Sequence, residues 1–101
     1  MRGLRLQNVA RRRACRRPTT VVLGARAMPA TIENISTSGA LLRMNARVPI
    51  GSMLLVFILG EVCAAHVTRL KDGRAGIRFD EVLNEEAVLA LTTPKSMPKR
   101  R

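Results

Sequence analysis

The chain has no tryptophan, no tyrosine and only two phenylalanines in 101 residues, so it has little with which to build aromatic platforms for stacking nucleic acid bases. Its longest uninterrupted apolar run, Met53 to Leu59, falls far short of the roughly 20 residues that a membrane-spanning helix needs. No apolar stretch follows the N-terminal arginines in the way a secretory signal requires, so a cytoplasmic chain without membrane insertion is expected. Two cysteines, Cys15 and Cys63, are too few for a disulfide framework and lack metal-ligand spacing. The single histidine, His66, has no neighbour spaced to share a metal and is expected to be structural. The HExxH, CxxC, P-loop and GxGxxG patterns are all missing. The acid pairs Asp80-Glu81 and Glu85-Glu86 are sequence neighbours, which diverge in space and make poor two-carboxylate sites. These absences point away from an enzyme, and no catalytic residue, metal or cofactor is expected.

What the chain does have is positive charge, unevenly placed. Lys and Arg number 18 against 7 Asp and Glu, a formal net charge of +11. Residues 1–17 carry arginines and no acid, and 95–101 carry Lys95, Lys99, Arg100 and Arg101, again with no acid. All the acids lie in between, against a similar number of basic residues, so the middle is neutral. This predicts a flexible basic arm over 1–10, one domain over 11–92 and a basic tail over 93–101. Charge so arranged favours an anionic partner without saying which. Cys15 stands among guanidinium groups, which favour a thiolate.

Period-two alternation predicts six strands, Thr19–Ala25, Thr31–Ile35, Leu41–Met44, Met53–Leu59, Glu61–Leu70 and Ala75–Phe79. Pro18 is read as the start of the first strand, holding the arginines close ahead of it. In the second, Ile32 and Asn34 should share one face and Thr31, Glu33 and Ile35 the other. Met53–Leu59, apolar throughout, is expected to be covered on both faces, with Phe57 and Phe79 in the core. Asp72-Gly73 is a type I′ hairpin turn, and Asn84 caps a short helix that reaches Leu91 before Thr92, Thr93 and Pro94 stop it. The fold class is therefore all-β, a six-stranded antiparallel barrel with a short C-terminal helix.

Two elements carry the chemistry. Arg11, Arg12 and Arg13, followed by Arg16 and Arg17, offer planar bidentate forks for phosphates and for guanine edges. Asn34-Ile35-Ser36-Thr37-Ser38-Gly39 offers a carboxamide, hydroxyls and a glycine at which a ligand can approach the backbone. Taken alone, the hexapeptide also reads as a plain turn between two strands.

In order and in separation, the two elements resemble the PilZ domain, the bacterial receptor module for cyclic di-GMP. Arg12-Arg13-Ala14-Cys15-Arg16 fits that family's RxxxR motif, with Arg13 to Arg17 as a second frame. Asn34 to Gly39 fits its [DN]xSxxG motif, with asparagine in place of the commoner aspartate. Val48-Pro49-Ile50-Gly51 and Gly76-Ile77-Arg78-Phe79 are similar to the family's turn before the fourth strand and to its late strand. The resemblance implies a PilZ-type barrel whose arginine segment wraps over the ligand while the hexapeptide receives it. It implies that Arg12 and Arg16 contact phosphates and guanine edges, that Arg11, Arg13 or Arg17 stack on a base, that Asn34 and Ser36 hydrogen-bond the ligand, and that Gly39 gives backbone access. It further implies a receptor that changes conformation and signals to a protein partner. The alternative from the residues is a small basic barrel that binds RNA or single-stranded DNA.

Overall fold

The structure, a computed structural model, describes residues 11–45 and 47–92. The elements are β1 (Arg13–Leu23), β2 (Arg26–Ile35), β3 (Gly39–Arg43), β4 (Met53–Ile58), β5 (Glu61–Lys71), β6 (Arg74–Phe79) and α1 (Glu85–Thr92). The strands form a closed barrel in the order β1-β2-β3-β6-β5-β4, with every neighbouring pair antiparallel. The expected arm over 1–10 and tail over 93–101 lie outside the described residues. Among the described residues, no helix is long and apolar enough to cross a membrane.

Alternation fills the barrel. Val21, Ile32, Leu42, Leu54, Val56, Val67 and Ile77 point inward and are buried, each such burial being worth about 1.5–3 kcal/mol. The helix adds Val88 and Leu91 to the same core and lies along β1. Its N-terminus is capped as expected, the Asn84 carboxamide oxygen accepting from the Ala87 amide at 2.9 Å. The Asp72-Gly73 turn is also as expected, with φ of 53° and 76°. Leu59 and Gly60, with φ of 51° and 82°, make a second turn of this hand between β4 and β5, where the apolar run had suggested continued strand.

Three expectations are corrected. The first strand begins at Arg13 rather than after Pro18, because Ile35, Asn34 and Ile32 of β2 stand ready as ladder partners for Arg13, Ala14 and Arg17. Pro18 is tolerated inside β1 because the ladder to β4 is confined to Val21 and Val22; on that side it sits at an edge, where a missing N–H costs no rung. Second, β4 is not covered on both faces. Met53 and Phe57 are exposed while Leu54, Val56 and Ile58 are buried, so Phe57 lies outside the core and Phe79 inside it.

The third correction is at Glu33. Ile32 pairs with Leu42 and Asn34 with Leu41, so Glu33 is an extra residue on the β3 side. On the other side, Cys15 and Arg16 stand against it as the β1 register shifts. This bulge lets Ile32 and Ile35 both point inward, which strict alternation forbids, and it re-aims Glu33 and Asn34 outward. The freed Glu33 carboxylate accepts from Arg74 Nε at 2.6 Å and from Arg43 Nε at 2.7 Å. These bonds, Arg74's first, hold its pKa below the usual glutamate value. A depressed folded-state pKa contributes stability above the unfolded value, about 4.3, and loses it as pH falls through the folded one. Glu33→Gln is therefore expected to flatten the acid side of a stability-versus-pH curve below about pH 4.3, as read by denaturant melts. An unchanged slope there sinks this assignment.

Candidate functional site

The two motifs meet. Pairing of Ala14 with Asn34 brings the residues ahead of β1 over the start of the hexapeptide, and Arg12 Nη1 donates to Asn34 Oδ1 at 2.8 Å. Arg11, Arg12 and Arg16 are exposed, whereas Arg13 and Arg17 are half-buried. Exposure therefore separates the two RxxxR frames. The 12/16 frame looks out to solvent, and the 13/17 frame looks toward the barrel.

Arg17 has an evident structural occupation. Its Nε donates to the Leu91 carbonyl at 3.0 Å and its Nη2 to the Ala90 carbonyl at 3.2 Å. The helix has no basic residue in its own last turn, so β1 supplies the cation that its C-terminal carbonyls favour. Arg13 is different. Its Nε is buried with no acceptor among the described residues, an arrangement that costs free energy until an acceptor arrives.

Within the hexapeptide, Asn34 ends the bulge and is half-buried. Ser36 is 1% exposed. Its Oγ accepts from the Ser38 and Gly39 amides, both at 3.2 Å, and the Ser36 amide donates to the Gly39 carbonyl at 2.8 Å. Ser36 thus staples the turn. Gly39 is likewise explained without a ligand, because a Cβ there would overlap the carbonyl oxygen of Ile77. Its neighbours Thr37 and Ser38 turn their carbonyls to the end of β6 and the segment after it, accepting from the Leu83 and Phe79 amides respectively at 2.8 Å each.

Sequence reasoning missed the neighbours that register supplies. Asn34 pairs with Leu41, Leu41 with Gly76, and Gly76 with Arg69, a row on the outer face of the barrel. A groove of about 460 Å³ lined by Leu41, Thr68, Arg69, Arg74 and Gly76 continues along that row. Gly76 keeps the floor low, and Thr68, the extra residue of a bulge in β5, donates to the Gly76 carbonyl at 3.1 Å. Only the Gly-Ile-Arg-Phe pattern hinted that β6 belonged here.

His66 has a structural partner, its Nδ1 lying 2.6 Å from Asp80 Oδ1. Cys15, whose neighbouring guanidinium groups favour a thiolate in the sequence, is a thiol here. The Sγ lies 3.5 Å from the Ile32 carbonyl, and burial pushes the thiol pKa up by more than the Arg17 charge pulls it down.

A family model described as "PilZ domain" matches residues 7–92. No curated protein matches the chain. Among solved structures, the PilZ domain of CeSA from a cellulose-synthesizing bacterium superposes with a TM-score of 0.61 at 22% identity, covering 81% of this chain and 94% of that one. That likeness concerns the fold, a closed six-stranded barrel with one short helix. With the family model spanning all of the described residues, the chain belongs to the PilZ domain family.

Proposed function

We propose that this PilZ domain is a receptor for cyclic di-GMP that rearranges on binding and presents a surface to a protein partner. The observation that supports it best is the bond from Arg12 to Asn34, which joins the two ligand-binding motifs of the family in one place. Arg12 and Arg16 are the forks for the two phosphates, with Arg11 beside them to stack on a base. Asn34 offers its carboxamide to a guanine edge, and Ser36 and Gly39 hold the turn that presents it. Arg13 Nε has no acceptor among the described residues, and a phosphate oxygen is a suitable one. The Leu41–Gly76–Arg69 row gives a guanine a flat floor, where the Arg69 guanidinium can stack in place of the aromatics that the chain lacks. The free thiols Cys15 and Cys63 suit the reducing cytoplasm, in which we place the receptor.

The proposed role is binding without catalysis, and it differs testably from RNA or single-stranded DNA binding. Calorimetric titration with cyclic di-GMP, beside a short oligonucleotide, at two salt concentrations, is expected to give saturable dinucleotide binding with a shallow salt dependence. Binding across many phosphates falls steeply with salt. An oligonucleotide that binds more tightly than the dinucleotide, with such a slope, defeats the proposal.

A further inference from the structure

The face of the barrel beyond the hexapeptide is apolar where a surface should not be. Val82 is 73% exposed and Val62 54% exposed, and Phe57, which pairs with Val62 across β4 and β5, is 41% exposed. Val62, Val82, Cys63 and Leu83 line a groove of about 510 Å³ between the start of β5 and the segment that leads into α1. The groove is mixed, with aliphatic side chains set beside polar ones, and exposed apolar side chains gathered at a groove mark interaction sites.

The rim says what it fits. Glu61, Asp80 and Glu81 border the groove, with Glu85 and Glu86 following in the first turn of α1, and no lysine or arginine lines it among the described residues. Most acids of a chain with net charge +11 are thus gathered on one side. A positively charged, apolar-tipped partner is selected, and an acidic one is repelled.

The groove wall is also tied to the nucleotide motif. The Leu83 and Phe79 amides donate to the Thr37 and Ser38 carbonyls, while the Asp80 amide donates across to Ala64 at 2.9 Å. A movement of the hexapeptide turn therefore pulls directly on residues 79–83.

We propose that this groove docks a basic amphipathic segment of a partner protein, lysine or arginine alternating with aliphatic side chains, and that the hexapeptide turn sets its width. This names the partner chemistry of the receptor described above and rests on that reading only for its response to nucleotide. The test is fluorescence anisotropy with a labelled lysine-leucine peptide and a glutamate-leucine peptide of equal length, titrated with the full chain without nucleotide. The lysine peptide is expected to bind saturably and the glutamate peptide not at all. Glu81→Lys and Val82→Asn, both at exposed positions, are expected to weaken binding about tenfold, with Arg26→Ala at the β1–β2 turn unchanged.

Equal binding of the two peptides, or no effect of Glu81→Lys, overturns the proposal. So does binding that appears only after residues 93–101 are removed, which assigns the groove to the chain's own basic tail. Self-association abolished by Glu81→Lys assigns it instead to a second copy, with the same consequence. Addition of cyclic di-GMP should then shift the peptide affinity, and no shift overturns the coupling. Because the first titrations contain no nucleotide, their failure and the failure of the receptor reading are separable.

Discussion

Removing both guanidinium groups of the outward frame, in an Arg12→Ala, Arg16→Ala double variant, is expected to weaken cyclic di-GMP binding by more than about a hundredfold while leaving the melting temperature nearly unchanged. The size follows from two hydrogen bonds to a charged ligand at about 1.5–3 kcal/mol each, with a tenfold change in affinity for every 1.4 kcal/mol. Stability is spared because both residues are exposed and the one bond lost, to Asn34, lies at the surface. The contrasting variant is Arg17→Ala. It leaves the outward frame intact but strips both donors from the Ala90 and Leu91 carbonyls, so it should lower helix content and melting temperature before it lowers affinity. Calorimetry and far-ultraviolet circular dichroism on the two variants separate the roles. If Arg17→Ala abolishes binding in a fully folded protein while the double variant binds normally, the inward frame is the ligand frame.

Gly39→Ala should unfold the domain more readily than any loss of a surface charge. Unlike most glycines of the barrel, Gly39 has an ordinary backbone conformation, and space is its problem. The added methyl meets the Ile77 carbonyl, a backbone atom fixed in the ladder where Gly39 pairs with Arg78 and Ala40 with Ile77. No rotamer relieves that overlap, so β3 and β6 must part locally. Overpacking of this kind costs about 1–3 kcal/mol, which in a domain of this size lowers the melting temperature by about 5–20 °C. Nucleotide affinity should fall as well, since the displaced residues include the amide that Ser36 holds. A thermal scan decides it. A melting temperature unchanged in Gly39→Ala means that the β3–β6 pair yields freely, and that Gly39 is there for a ligand after all.

How much of this was legible before the structure depends on how local each cause is. Asp72-Gly73 and Asn84 announce a turn and a cap through their own backbone preferences, and β6 shows its faces in the alternation of Ala75, Ile77 and Phe79. Glu33 could not be read. A bulge is a property of register against two neighbours, and nothing in Thr31 to Ile35 says which residue will be left over. The exposed face of β4 was hidden for another reason, because a run that is apolar at every position has no alternation from which to tell inside from outside. The two motifs were legible as a pair, but the choice between the 12/16 and 13/17 frames was not. It depends on which arginines the fold half-buries and on carbonyls 73 and 74 residues away. The row from Asn34 to Arg69 was equally silent, since cross-strand neighbours have no common spacing in the chain.

The bond from Arg17 to the end of α1 also has a consequence for the order of assembly. Eight residues are too few for a helix to persist by itself in water, and its last carbonyls find their cation on a strand that precedes it by most of the chain. Helix formation is therefore expected to depend on β1 being in place, which makes helix content a reporter of whether that strand is docked.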